Sequence, residues 1–222
     1  MNKKNNFKIE EYKYDFSHLK KRVLPNTIGA EMLVKASKPK AIYQKLGMEY
    51  DVSKIAEKVE IDKLPLAVDA TAGLGEDSFI LAAAGFRVIM YERDNQIADL
   101  LGKTLDDAKR SDDEIIQNIS ERMTLVRGDS IIELPQMDEI PEVVLLDPMF
   151  PERKKSGLVK KKFQMIHILE KPCEDEKELF EAARRTNACK IMVKRPAKGP
   201  FLADEKPSYS IYGNVIRYDV YI

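Results

Sequence analysis

The stretch LPLAVDATAGLGEDSFILAAAGFRVIMYE, residues 64–92, contains a strand, a glycine turn, a helix and a second strand in succession. Leu64–Ala70 is a short run of strand formers with Asp69 near its end, Gly73 and Gly75 break it, Glu76–Gly85 has helical composition, and Arg87–Glu92 closes on an acid. Two strands joined through a helix pair in parallel, because antiparallel neighbours need only a short turn. The unit therefore sets an α/β fold. It also places two glycines where ligands of open α/β sheets bind, beyond the carboxyl ends of the strands.

The alternation continues outward from this unit. Downstream, the pattern predicts a helix over Asn95–Arg110, a strand over Arg122–Asp129, a short helix near Ile131 and a strand over Glu142–Pro148. Helices around Leu158–Leu169 and Glu174–Arg185 follow, then a strand over Cys189–Pro196. Ser208–Ile222 alternates about Gly213-Asn214 and reads as a hairpin. Upstream, residues 1–63 carry helical periodicity around Pro39–Leu46 and Ser53–Val59, with turn signals at Pro25-Asn26 and Gly47. The chain thus divides into an N-terminal appendage, 1–63, a candidate substrate-recognition segment, and a main domain, 64–222. Five strand and helix steps closed by a hairpin resemble the class I methyltransferase sheet, a Rossmann-like, mostly parallel sheet with helices on both faces and an antiparallel C-terminal hairpin.

The composition supports a globular protein. Of 222 residues 44% are apolar, and Lys+Arg and Asp+Glu are 37 each, so neither disorder nor a strongly basic character is indicated. The start, MNKKNNFKIE, lacks the apolar core of a secretory signal, and no apolar run approaches the ~20 residues of a membrane helix, which places the chain in the cytoplasm. Cys173 and Cys189 form no C-x-x-C or Cys/His cluster, so no disulfide framework or metal site is expected. His18 and His167 stand apart from each other and from any such spacing. No Ser-His-Asp set, G-x-S-x-G or Walker loop appears.

The glycine loop carries the chemistry. A dinucleotide fingerprint needs a third glycine where Ser78 stands, and Asp69, Glu76 and Asp77 crowd the loop with carboxylates. A pyrophosphate wants bare N–H groups and positive charge. Carboxylates suit a cationic ligand, and S-adenosylmethionine carries an ammonium and a sulfonium. Its ribose hydroxyls call for an acid at the end of the second strand, where Glu92 stands 19 positions after Gly73. Asp129 and Ser130 end the third strand and Asp147 the fourth. Asp and Ser at such junctions also act as helix caps, but four strand ends in sequence beside a glycine loop form one ligand-binding edge.

The fourth strand runs into LLDPMFPERKKSGLVKKK, residues 145–162. An exocyclic nucleobase amine is a weak nucleophile, so its methylation needs acceptors for the amine hydrogens, an aromatic face for the base and an in-line methyl. Asp147 with neighbouring carbonyls supplies acceptors, Pro148 stiffens the turn and Phe150 offers a stacking face. The pentapeptide is similar to the Asp/Asn-Pro-Pro-Tyr/Phe motif of amino-directed nucleic-acid methyltransferases, with Met149 in place of a second proline. A buried strand ending in a simple turn is the plain alternative. Six of the ten residues Arg153–Lys162 are basic, and Arg153, Lys154, Lys155, Lys160, Lys161 and Lys162 suit phosphates flanking a target base. Lys194 and Arg195 are expected to add phosphate contacts at the same edge.

DATAGLG, LDPMFP with its lysine-rich continuation, IMVKRP and RYDVY together resemble the RsmJ-type small-subunit ribosomal RNA guanine-N2 methyltransferases, over Val68 to the C-terminus. The resemblance implies S-adenosylmethionine contacts at Glu76, Asp77, Glu92, Arg93, Asp129, Ser130 and Asp147, and ribosomal RNA or the small subunit as partner. Three other readings remain open at this point. A methyltransferase with a small-molecule or protein acceptor would not need the basic run, an NAD-linked oxidoreductase would bind NAD through Gly73 and Gly75, and a non-catalytic RNA-binding module would transfer no methyl.

Overall fold

The computed structural model describes residues 13–54, 57–148 and 175–222. Seven strands form one sheet: β1 (Leu66–Asp69), β2 (Arg87–Glu92), β3 (Met123–Arg127), β4 (Val143–Leu146), β5 (Lys190–Pro196), β6 (Tyr209–Tyr212) and β7 (Ile216–Tyr221). Their order is β3-β2-β1-β4-β5-β7-β6. The first five are parallel, and β7 enters antiparallel between β5 and β6. This is the expected class I sheet. The order reverses between β1 and β4, and that switch point opens the crevice in which ligands of such sheets sit.

Alternation along the strands explains how one sheet serves two cores. Ala67, Val143, Leu145 and Met192 join one apolar cluster, while Leu66, Val68, Val144, Leu146, Ile191 and Val193 join the other. The first cluster also takes residues of α3 (Glu76–Ala83), α4 (Asn95–Lys109) and α5 (Glu114–Ser120). The second takes α7 (Glu176–Arg185), with Ile131 of α6 (Ser130–Glu133) packed against it. Helices on both faces follow from strands that are apolar on both sides.

The helix ends are set by side chains. Asp94 caps α4 by accepting from the N–H groups of Gln96 and Ile97, at 2.9 and 3.1 Å. Asp113 caps α5 in the same way. That helix lies between the helix predicted over Asn95–Arg110 and the strand predicted over Arg122–Asp129, where no element was expected. Conversely, the helical periodicity at Ser53–Val59 yields only a 3₁₀ turn, Val52–Lys54, among the described residues there. No helix among the described residues is long and apolar enough to cross a membrane.

The segment before β1 is built into the domain. Phe16, Leu19, Val23, Ile28 and Leu33 are buried in the same cluster as α3 and the sheet, and Phe16 stacks on Phe79 of α3 with centroids 4.7 Å apart. Two short helices, α1 (Met32–Ser37) and α2 (Pro39–Lys45), meet at Lys38, whose φ of 51° turns the chain, and Pro39 opens the second. Such a segment contributes to the main core instead of standing off it.

Candidate cofactor and acceptor site

The glycine loop between β1 and α3 is braced from below by its own strand-end acids. Gly73 and Gly75 both have positive φ, 54° and 75°, and a Cβ on Gly75 would stand 2.8 Å from Leu101 Cδ1. The Gly73 N–H donates to the Glu92 carboxylate at 2.9 Å, and the Asp94 N–H donates to its other oxygen at 2.8 Å. Burial raises Glu92 above the usual carboxylate range, and these two N–H groups oppose the rise. Glu92 is buried, with 8% exposure.

Asp69 lies deeper than the sequence implied. It is 1% exposed, and its oxygens accept from the Ser78 hydroxyl at 2.5 Å and the Thr71 N–H at 3.1 Å. Burial pushes its carboxyl up to about 7, with Ser78 opposing and Asp77 adding to the rise. A direct contact between Asp69 and a ligand is therefore corrected: the residue braces the loop from within.

Glu76 and Asp77 open α3 and reach in different directions. Glu76 accepts from the Tyr14 hydroxyl and lies 2.7 Å from His18 Nε2, both from the segment before β1. His18 also sets Nδ1 3.0 Å from the Asp15 carbonyl. The isolated histidine of the sequence is thus part of the loop's wall, through a contact 58 positions long that no local pattern announces. Asp77 meets Lys194 Nζ at 2.7 Å, and the same ammonium reaches Asp147 at 2.8 Å. The Asp147 N–H donates to Thr71 Oγ1 at 2.7 Å, which ties the end of β4 to the glycine loop.

Lys194 and Arg195 separate as neighbours on a strand must. Lys194 faces the crevice and bridges two carboxylates. Arg195 passes through the sheet to the opposite side, is 1% exposed, and binds Glu176 of α7 at 2.9 Å and the Pro200 carbonyl at 3.2 Å. Arg195 as a phosphate contact is accordingly corrected, because its guanidinium is enclosed. Asp129 caps α6 through the Ile131 N–H at 3.0 Å, and Arg93 lies 3.7 Å from it and 2.7 Å from Asp175. Ser130 is buried beside it. A helix cap thus stands at the end of β3, at the place expected of a ligand contact. Phe150, the basic residues Arg153–Lys162, His167 and Cys173 lie outside the described residues. Among the described residues no cluster of ligating side chains could hold a metal ion.

Residues 13–222 match the model of a family described as SAM-dependent methyltransferases. The chain belongs to that family. Relatives named ribosomal RNA small subunit methyltransferase J occur in Thioalkalivibrio sulfidiphilus, 44% identical over 160 residues, and Pseudoalteromonas translucida, 42% identical over 170. These matches cover 71% and 76% of this chain but 62% and 67% of the relatives, so the methyltransferase spans roughly two thirds of their length. The crystal structure of a SAM-dependent methyltransferase from Neisseria gonorrhoeae is similar in fold, with a TM-score of 0.62 at 29% identity, covering 87% of this chain and 71% of that one.

The crevice of this methyltransferase fits its cofactor class. The Gly73 N–H, which would face a phosphate in a dinucleotide loop, is taken by a carboxylate, and Glu76 and Asp77 occupy the first turn of α3. An anion is unwelcome there. The arrangement disfavours NAD and suits the ammonium and sulfonium of S-adenosylmethionine.

Proposed function

We propose that this methyltransferase methylates the exocyclic N2 amine of a guanine in small-subunit ribosomal RNA, in the cytoplasm. The observation that carries the reading is Asp147: a carboxylate at the end of β4, 40% exposed at its side chain, beside Pro148 and bonded through its backbone to the glycine loop. The family likeness and the names of the relatives support the acceptor.

Glu92 is the group placed for the ribose hydroxyls. Glu76 and Asp77 line the loop for the cationic end of the cofactor, and Asp129, Ser130 and Arg93 border the adenine side. When bound, S-adenosylmethionine would supply an electrophilic methyl with its sulfonium sulfur as the leaving group. Asp147 accepts a hydrogen bond from the amine, which orients the lone pair, and is placed to receive the proton the methylated amine gives up. Pro148 limits the turn to one direction. Phe150 is read as the stacking face, and Arg153, Lys154, Lys155, Lys160, Lys161, Lys162 and Lys194 were the candidate phosphate contacts. Of these, Lys194 is better read as a carboxylate partner.

The test is transfer of labelled methyl from S-adenosylmethionine to ribosomal RNA and to assembled small subunits, with nucleoside mass spectrometry. N2-methylguanosine that disappears with Asp147→Ala is the expected result. Label found only on protein or small molecules would reassign the acceptor.

A further inference from the structure

The motif at the end of β5 suits phosphates by composition, yet its lysine is turned to carboxylates on both sides of the crevice. Lys194 Nζ lies 2.7 Å from Asp77 and 2.8 Å from Asp147. Asp77 stands in the first turn of α3 beside the glycine loop, and Asp147 begins the acceptor turn. We propose that Lys194 is a positioning residue for methyl transfer, its shared ammonium holding Asp147 anionic and in fixed relation to the cofactor side of the crevice. The proposal rests on the reading of Asp147 as the group that orients the amine.

Three observations support it. First, the parity of β5 sends Lys194 to the α3 face together with Met192, where it is paired across the sheet with Tyr218 of β7. The side chain therefore rises through a buried layer, and its end meets acids from two other elements. Second, two carboxylates facing one crevice without a cation would repel, and one would take a proton. A protonated Asp147 offers one acceptor fewer to the amine and cannot take the reaction's proton. Third, desolvation works against charge on Lys194, but Asp77 and Asp147 raise the ammonium well above its ordinary range, so the lysine stays a cation and is no candidate for the base. Burial likewise raises Asp147, and Lys194 is the chief group opposing that rise.

Among the described residues, charged and titratable groups around Asp147 come from several packed elements. They are Lys194 and Arg195 on β5, Asp77 on α3, Asp69 on β1 and Tyr218 on β7, with Arg22 of the leading segment acting on Asp77 and Tyr218. Among them only Lys194 touches both Asp77 and Asp147. An arginine could keep the charge with altered reach. A methionine keeps the length and removes the charge.

The decisive experiment is a carbon-13 NMR titration of the full chain labelled at aspartate carboxyls, with Asp147→Asn assigning the Asp147 signal. Lys194→Met is expected to raise the Asp147 midpoint by about one pH unit or more, and Lys194→Arg to bring it most of the way back. If Lys194→Met does not fold, Asp77→Asn judges the proposal instead: it leaves the ammonium to Asp147 alone, and the midpoint should fall. An Asp147 midpoint unmoved in the variant used overturns the proposal. In methyl transfer to ribosomal RNA, Lys194→Met should lower kcat by about tenfold or more, move KM for S-adenosylmethionine by less than about threefold, and shift the acidic limb of the kcat profile with the NMR midpoint. An unchanged profile counts against it equally. Should the wild type methylate no ribosomal RNA, the acceptor reading fails while the titration still decides the role of Lys194.

Discussion

The two halves of the crevice hold their carboxylates by different means. On the cofactor half, Glu92 is held by the N–H groups of Gly73 and Asp94, and Asp69 by the Ser78 hydroxyl and the Thr71 N–H. Toward the acceptor half, Asp147 shares a lysine with Asp77 of the cofactor side. Backbone donors belong to the fold and cannot leave, so the first pair sets the loop's shape. A lysine holds its carboxylates by charge, so a single substitution can remove the donor that keeps the second pair ionised and in place. The same residue type thus does two jobs, and its donors distinguish them.

The contrast predicts effects of decreasing size. Asp147→Ala should reduce kcat about 10²–10⁴-fold while S-adenosylmethionine affinity, measured by calorimetry, changes only a few fold. A parallel collapse of affinity would erase the division between halves. Asp69→Asn probes the buried brace through pH. The folded carboxyl keeps its proton up to about pH 7, against an ordinary value of 3.8, so the folded state binds the extra proton between those limits. Wild-type stability therefore falls as pH rises through that window, by on the order of 4 kcal/mol for this group. Denaturant unfolding at pH 5 and 8 should show a smaller loss in Asp69→Asn, and an equal slope would sink the assignment.

Glu92→Ala removes the acceptor for the Gly73 N–H, and S-adenosylmethionine affinity should drop about 10–100-fold, which is roughly 1–3 kcal/mol. The smallest effect belongs to the leading segment. His18 is about half exposed at its side chain (48%), so His18→Ala should cost no more than ~1 kcal/mol in thermal or denaturant stability. A larger loss would make the leading segment as essential to the loop as its strand-end acids.

The sheet was legible because its elements carry their own signals: β-rich runs, a helix between each pair, and Gly213-Asn214 at the final turn. The candidate residues at the strand ends do lie along one edge of the sheet, but which way each side chain points was less legible. Lys194 and Arg195 are adjacent on a strand, and the period of two already requires them to leave by opposite faces. A basic pair by composition is therefore two separate groups by geometry. Asp113 appeared as one charge in an acidic run, although an aspartate before Glu114-Ile115-Ile116 is also a cap signal. The partnership of Glu76 with Tyr14 and His18 is a tertiary contact across β1, and nothing within either local stretch encodes it.

The hydrogen bond from the Asp147 N–H to Thr71 Oγ1 joins positions 76 residues apart. It lies where β1 and β4, strands distant in the chain, run side by side. Closing so long a loop costs entropy before its contacts form, and parallel pairings of this kind slow folding. This edge of the sheet should consequently be among the last parts of the chain to gain protection against hydrogen exchange during refolding, well after the helix of the glycine unit.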